Sequence, residues 1–350
     1  MFQSILITGG CGFVGSNLAL KMRLDFPQAK IIAFDNLSRK GSELNVPRLE
    51  KAGIQFVKGD VRFRDQLESV GPFDLLIDAA AEPSVLSGID GSPDYVIDTN
   101  LNGTLHCLHL AVKYKAALIF LSTSRVYPIE TLNAIPYEEG PTRLHWTDER
   151  YVNGISESFP VNGSRSFYGT SKLCSEYFIE EYISFYNLRA IVNRCGVIAG
   201  PWQMGKVDQG IIALWVARHF WKQNLQYIGF NGSGKQVRDV LHIDDLYTLV
   251  KMQISNFDLF QGSTFNVGGG NEMSTSLLEL TEICEQVTGN KIDITAVLEN
   301  RTADLPIYIT DNSRIYEISG WKPNKSVITL VQDIFAWLKE NEVMLKPLLG

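Results

Sequence analysis

Five cysteines in 350 residues, an odd number, stand at Cys11, Cys107, Cys174, Cys195 and Cys284 with no Cys-x-x-Cys pair and no histidine cluster beside them. That spacing excludes a disulfide framework and a zinc site, and it points to a reducing compartment and to no metal. Long apolar runs are also missing, and no stretch reaches the roughly 20 residues that a membrane-spanning helix needs. The N-terminus has no basic segment followed by an apolar run and a small-residue cleavage site. No membrane partner and no export are expected, which leaves a cytoplasmic chain. Positive charge is short too: 32 Lys and Arg against 39 Asp and Glu give a net charge of −7. No nucleic-acid partner is expected on that balance, so an anionic ligand would be held by local groups. Asn162-Gly163-Ser164 fits the glycan-acceptor triplet but reads as a polar loop in such a chain.

What is present is enough apolar sequence, 45% of residues, for a sizeable core. The length favours one large or two modest domains. In the first half, short apolar runs at Ser4 to Thr8, Lys30 to Asn36, Ile54 to Asp60, Asp74 to Ala81, Leu118 to Thr123 and Arg189 to Cys195 read as strands. Helix-length segments such as Phe13 to Phe26, Pro93 to Tyr114 and Phe167 to Tyr186 lie between most of them. Alternation of this kind predicts a doubly wound α/β domain with a parallel sheet covered on both faces. From Pro128 to Ser166 neither period is clean. A loop so long is usually functional, and this one leaves a strand end, where open α/β sheets bind ligands. The strand rhythm weakens after Gly196, and an aromatic-rich helix is expected from about Ile211 to Lys222. The expected division is a first domain over 1–195, with 237–267 returning to it, and a smaller C-terminal α/β substrate domain over 196–236 and 268–350.

The sharpest local signal is Thr8-Gly9-Gly10-Cys11-Gly12-Phe13-Val14-Gly15, after an apolar strand and at the head of a helix. Gly9 permits a tight turn, Gly12 lets the backbone approach a pyrophosphate, and Gly15 lets helix and strand pack closely, while the helix N-terminus offers N–H groups and positive potential. This is the chemistry of a dinucleotide-binding Rossmann domain. Asp35 ends the second strand, where an acid accepts hydrogen bonds from an adenosine ribose and repels a 2′-phosphate, favouring NAD over NADP; Arg39 nearby weakens that preference. Asp60 and Val61 follow the third strand, where an acid reaches the adenine amino group.

Tyr168-Gly169-Thr170-Ser171-Lys172 opens a helix, and four-residue spacing puts Tyr168 and Lys172 on one face. A phenol with a pKa near 10 is a poor base at neutral pH unless a cation stabilises the phenolate, and Lys172 is that cation. Lys172 also reaches for the nicotinamide ribose. Thr123, at the end of the Ser122-Thr123-Ser124 strand, can hydrogen-bond a substrate hydroxyl and share its proton with Tyr168.

These residues resemble the extended short-chain dehydrogenase/reductase superfamily, in the branch of nucleotide-sugar epimerases and dehydratases. The resemblance covers essentially the whole chain. It rests on the Gly9-Gly12-Gly15 loop, Asp35-Asn36-Leu37-Ser38-Arg39, Asn100-Leu101-Asn102-Gly103-Thr104, Ser122 to Tyr127, Tyr168 with Lys172, and Val237 to Asp245. The run Arg194 to Pro201, followed by Asp208-Gln209-Gly210, looks like the CDP-paratose 2-epimerase (CDP-tyvelose epimerase) group. The resemblance implies NAD held tightly and recycled within each turnover, with Tyr168 as base, Lys172 as its activator and Thr123 as hydroxyl partner. It places Phe13, Val14, Asn36, Ser38, Arg39, Asp60, Val61, Ala79, Ala80, Ala81, Asn100 and Ser122 around the cofactor. Ser124, Arg125, Gln209, Arg238, Arg301 and Asp304 fall on the side of a nucleotide-diphosphate sugar, a CDP-sugar being favoured, with Arg238 and Arg301 on its diphosphate. By the same analogy the chain forms a homodimer through the helix that carries Tyr168.

Three positions depart from the pattern: Asp78 stands where many relatives have His, Val197 where 4-epimerases have a substrate-contacting Asn, and Pro128 where Gly is usual. Relatives that dehydrate carry Asp-Glu after the catalytic Thr, and relatives that decarboxylate UDP-glucuronate carry Glu where Arg125 stands; here the two residues are Ser124 and Arg125. Thr147-Asp148-Glu149 reads as solvated loop charge. What remains is an epimerase, first a 2-epimerase and second a UDP-hexose 4-epimerase, with a non-catalytic nucleotide-binding regulator as the reading from another class.

Overall fold

Ile5, Leu6 and Ile7 are wholly buried, and neither Leu75–Asp78 nor Ala117–Thr123 exposes a residue on either face, a pattern that only a sheet covered on both sides allows. The computed structural model describes residues 2–89, 91–205 and 209–350. The chain begins β1 (Ser4–Thr8), α1 (Phe13–Asp25), β2 (Lys30–Asp35), α2 (Asn45–Lys51), β3 (Gln55–Lys58), α3 (Arg64–Glu68), β4 (Leu75–Asp78), α4 (Asp94–Ile97), α5 (Gly103–Tyr114) and β5 (Ala117–Thr123). It continues α6 (Ile129–Asn133), β6 (Tyr137–Glu139), β7 (Leu144–Trp146), α7 (Phe167–Tyr186), β8 (Ala190–Cys195), β9 (Val197–Ala199), α8 (Ile211–Phe220), β10 (Leu225–Ile228), β11 (Val237–His242), α9 (Ile243–Ser255) and α10 (Phe257–Phe260). The last part is β12 (Ser263–Val267), β13 (Ser274–Ser276), α11 (Leu277–Thr288), β14 (Ile294–Val297), β15 (Ile307–Tyr308), α12 (Ser313–Ser319), α13 (Val327–Glu340) and α14 (Glu342–Leu349).

Two compact units result. The first comprises 1–126, 166–194 and 247–265. Its seven-stranded sheet has the order β12-β8-β5-β4-β1-β2-β3, with β3, β2, β1, β4 and β5 paired in parallel. The strand order reverses between β1 and β4, so the ends of those two strands, at Thr8 and Asp78, open the crevice in which sheets of this kind bind ligands. This is the Rossmann arrangement. Its core joins Leu6, Phe34, Leu76 and Phe120 of the sheet to Cys107, Leu108 and Ala111 of α5 and Ile179 of α7.

The second unit comprises 127–165, 195–246 and 266–350. β11 is its central strand, antiparallel to β13 and parallel to β15 and β9; β10 pairs with β14, and β6 with β7 forms a short antiparallel hairpin. Helices α8, α11 and α13 pack on one another. A reciprocal cap starts α11: Ser276 Oγ accepts from Glu279 N, and Glu279 accepts from Ser276 N.

This division differs from the sequence expectation in two places, and each has a physical reason. The segment 127–165 groups with the second unit because Leu144 donates its N–H to Lys235 O (2.9 Å) and packs on Val237, Ile307 and Ile309, while Arg143 bonds Ser274 and Glu279. It is no bare loop, since it carries α6 and the β6–β7 hairpin. The stretch 237–246 also stays with the second unit, because the partners of β11 are β13, β15 and β9. The helix expected from Pro93 to Tyr114 is broken by a π-helical turn at Asp98–Asn102.

Candidate active site

Between β1 and α1 the backbone turns so tightly that Gly9 takes φ +61°, and a Cβ on it would lie 2.7 Å from Ala79 O. A Cβ on Gly15 would overlap Gly9 O, so α1 can approach β1 only because that position is bare. Gly12 is different: a Cβ there would meet only Gly9 O, at 3.1 Å, and its other side is open. Gly12 is the N-cap of α1, with no side chain capping it and no acid in the first turn, so the leading N–H groups at Phe13 and Val14 are available to an anion. Open backbone, unsatisfied donors and positive potential fit the pyrophosphate of a dinucleotide.

The strand ends beside this loop are tied down by short polar links. Asp78, buried at the end of β4, accepts from Thr8 Oγ1 (2.6 Å) and Thr104 Oγ1 (2.8 Å), so a two-oxygen acceptor joins β1, β4 and α5 where relatives carry an imidazole. Ala79, Ala80 and Ala81 follow, with Ala80 N donating to Thr8 Oγ1 and Ala79 O against Gly9. Asn100, buried in the π turn, accepts from Glu82 N (2.8 Å) and donates to Glu82 O (3.0 Å) and Ser171 Oγ (3.2 Å). A widened turn in a helix is a frequent mark of a functional site, and here it fixes Asn100 between the strand ends and α7.

At the end of β2, Asp35 accepts from Cys11 N (3.0 Å) and Leu37 N (2.7 Å), the latter residue at φ +59°. Burial pushes the Asp35 carboxyl up, against the pull of these backbone donors. Asn36 Oδ1 accepts from Ser38 N, and Arg39 O from Ser42 N. Asp60 is heavily engaged: Arg62 forks onto it through Nε and Nη2, Arg62 N adds a third donor, and Asn36 Nδ2 a further one. Burial would raise its carboxyl, but Arg62 and Asn36 outweigh that and hold it low. An adenine amino group would compete with those donors. Val61 is buried, and its carbonyl pairs with His106 Nδ1 (2.8 Å).

Ser166 caps α7 by accepting from Gly169 N (3.1 Å), and Tyr168, Lys172 and Glu176 then follow at four-residue intervals on one face. That helix packs on β5 and on the turn Ser124–Val126, the elements that carry Ser122, Thr123, Ser124 and Arg125. Lys172 is 1% exposed, its ammonium 4.1 Å from the centre of the Phe120 ring. Thr123 is buried, with Oγ1 accepting from Arg125 N (3.1 Å). One pair was missed in the sequence: Glu176, 2% exposed, accepts from Arg194 Nη2 (2.7 Å) and Nε (3.0 Å) and from Ser122 Oγ. The signal available was a carboxylate eight residues after Tyr168, on the face that otherwise turns inward. The Ser122 bond ties the helix face bearing Tyr168 to the strand end bearing Thr123.

The second unit holds the remaining candidates. Arg238 on β11 donates to Asp304 Oδ1, Leu305 O and Val237 O, each at 2.7 Å. Burial pushes its guanidinium down, with Asp304 opposing. Asp304 therefore holds Arg238, and its own N–H turns back to Arg301 O (3.3 Å). Arg301 lines a cavity of about 300 Å³ with Arg218, Trp215, Leu225, Gln226 and Thr295, a cationic edge on an apolar wall. Gln209 lies just ahead of α8, whose Ile211 and Leu214 line the same cavity. Asp208 lies outside the described residues. Val197 is paired with Val240 in the β9–β11 ladder. Asp148 and Arg150 form an exposed ion pair, and Asp148 caps a short turn. Among the described residues no cluster of three or more His, Cys, Asp or Glu is placed to hold a metal, and no helix is long and apolar enough to cross a membrane.

A model of the NAD dependent epimerase/dehydratase family matches residues 5–268. The CDP-paratose 2-epimerase of Salmonella typhi is 32% identical over 346 residues, covering 96% of this chain and 99% of that protein. The putative UDP-glucose 4-epimerase of Methanocaldococcus jannaschii is 26% identical over 346 residues, again 96% and 99% of the two chains. Among solved structures, dTDP-glucose 4,6-dehydratase from Bacillus anthracis, in complex with NAD, is similar with a TM-score of 0.77 and 28% identity, covering 99% of both chains.

Proposed function

Because this chain belongs to the NAD dependent epimerase/dehydratase family, we propose that it is a nucleotide-sugar 2-epimerase acting on a CDP-linked sugar of the CDP-paratose type. It is an enzyme, and its cofactor is NAD. The observation that carries the choice of C2 and of a CDP-sugar is the 32% identity to CDP-paratose 2-epimerase across nearly the whole of both chains. Epimerisation is favoured over dehydration by the end of β5, where Ser124 and Arg125 follow Thr123 and supply no carboxylate for eliminating water. A UDP-hexose 4-epimerase is the second reading, supported by the 26% identity to the Methanocaldococcus jannaschii protein.

In this reading the buried Lys172 ammonium stabilises negative charge on Tyr168, which takes the proton of the sugar hydroxyl through, or together with, the Thr123 hydroxyl. NAD supplies the hydride acceptor and, in the reverse step, the donor. Tyr168 then returns its proton to the reduced sugar. The nucleotide is the fixed end of the substrate: Arg238, held by Asp304, and Arg301 meet its diphosphate, and the cavity lined by Arg218, Trp215 and Arg301 takes the nucleoside. The sugar is the moving end, free to present its other face once oxidised. We further propose that the enzyme works in the cytoplasm, since none of its five cysteines forms a disulfide, and that it is a homodimer through α7.

The test is the path of hydrogen. A CDP-sugar deuterated at C2 is expected to keep its label through epimerisation, and turnover in D2O is expected to put no deuterium on C2, both read by NMR. Solvent deuterium at C2 would overturn the oxidation–reduction reading. Inversion at C4 of a UDP-hexose, with none at C2 of a CDP-sugar, would move the assignment to the second reading.

A further inference from the structure

The polar links beside the ribose acceptor form a closed ring. Asn36 Nδ2 donates to Asp60 Oδ2 (2.9 Å), and Asp60 receives Arg62 through Nη2 (2.7 Å) and Nε (3.1 Å). The Arg62 guanidinium lies 4.7 Å from the centre of the Tyr95 ring and 5.5 Å from that of Phe63. Tyr95 OH donates to Ser38 Oγ (3.4 Å), and Ser38 N returns to Asn36 Oδ1 (2.9 Å). Asp35, one residue from Asn36, stands at the edge of this ring.

From this ring we infer that Asp60 is a cofactor-selectivity residue, keeping Arg62 from serving as the cation that would accept the 2′-phosphate of NADP. The Nε–Nη2 edge of a guanidinium is a two-donor fork that fits a carboxylate or a phosphate, and here a carboxylate fills that edge and neutralises the cation. A guanidinium cannot offer the same edge twice. The guanidinium also lies over the Tyr95 and Phe63 rings, so the carboxylate and the ring contacts hold it on the same side of the chain. Charge points the same way: Asp35 and Asp60 against Arg62 leave the ring one unit negative, whereas without the Asp60 charge it is neutral and holds a released fork. Arg62 supports the clamp from its own side, its guanidinium held above the usual range by Asp60. The clamp thus adds to the direct repulsion by Asp35. The inference rests on Asp35 as the ribose acceptor and is independent of which sugar is turned over.

The experiment is competitive displacement of the bound nucleotide from the purified protein by NADH and by NADPH, comparing the ratio of the two dissociation constants across variants. Asp60→Asn is expected to shift that ratio toward NADPH about ten-fold, the size of one charge-assisted contact. Adding Arg62→Ala is expected to cancel the shift, while adding Arg39→Ala leaves it in place. Arg62→Ala alone, at a partly exposed side chain, is expected to move the ratio further toward NADH, because Asp60 is then uncompensated. An unchanged ratio in Asp60→Asn that still retains NADH would overturn the inference, as would a gain that survives Arg62→Ala or depends on Arg39. If Asp60→Asn does not fold, Arg62→Ala decides alone: a ratio that is unchanged or moves toward NADPH overturns the inference. Asp35→Ala separates the premise from the inference, since it weakens NADH retention if Asp35 is the ribose acceptor, and no loss there would remove that premise whatever Asp60 does.

Discussion

Tyr168 is half-buried at the head of α7, and its phenol oxygen is the atom on which the proposed chemistry turns. Tyr168→Phe keeps the ring, the helix and the cap from Ser166. Turnover is therefore expected to fall by about 10²- to 10⁴-fold, the usual share of one acid–base group, while bound NAD stays at the parent level. Product formation by NMR and the absorbance of the retained cofactor check the two halves; activity within a few-fold of the parent would mean that another group is the base. Asp78 teaches a different lesson. In the sequence it is a departure expected to change how the adenine-side loop is held, and in the fold it is the acceptor for two threonines that come from β1 and α5, both distant along the chain. An acid in the place of a histidine is readable as a difference, but its purpose depends on partners that only the sheet brings beside it.

The elements most legible in the sequence are those whose signals are local. β1 and α7 run over the residues expected, Ser4–Thr8 and Phe167–Tyr186, because an Ile5-Leu6-Ile7 centre is followed by glycines in the first case and a serine cap opens the second. The π turn at Asp98–Asn102 was illegible, since its apolar spacing imitates a continuous helix and the widened turn is stabilised by contacts to Glu82, Ser171 and Ser175. The hairpin of β6 and β7 was illegible too: each strand has three residues, too few for alternation, and its anchor lies some 130 residues onward. Arg143 reaches Glu279 through Nε (2.7 Å) and Ser274 Oγ through Nη1 (2.9 Å), and Thr142 Oγ1 donates to the same Glu279 (2.7 Å). Burial would raise the Glu279 carboxyl, but Arg143, Ser276 N and Thr142 hold it below the usual glutamate range. A carboxyl depressed in the folded state stabilises above its unfolded pKa and loses that contribution as pH falls through the folded value. Glu279→Gln is thus expected to cost about 1–3 kcal/mol at neutral pH and to flatten the acid limb of stability, read by urea unfolding at a series of pH values. An acid limb identical to the parent's would show that the anchor is not held by charge.

For the molecule as a whole, the outer face of α7 is unusually apolar: Tyr177, Phe178, Phe185 and Tyr186 are 49%, 42%, 76% and 59% exposed. A cluster of large exposed rings marks an association surface. The parent is expected to sediment as a dimer and the double variant Phe178→Glu/Phe185→Glu as a monomer; a parent of monomer mass, or a variant of dimer mass, would remove α7 as an interface. The two units also differ from the domains expected along the sequence because β11 pairs with β9 before it and with β13 and β15 after it, pairings no local pattern announces. Their six successive segments alternate, so the chain passes from one unit to the other five times. During synthesis this sets an order of completion. The first unit can close once residue 265 is available, whereas 127–165 and 195–246 have been made by then and still lack the partners supplied by 266–350. Until the last strands and helices arrive, β11 has only β9 to pair with, and its Val237–Asp239 end is an open strand edge on a nascent chain, the kind of surface that chaperones hold and that aggregation exploits.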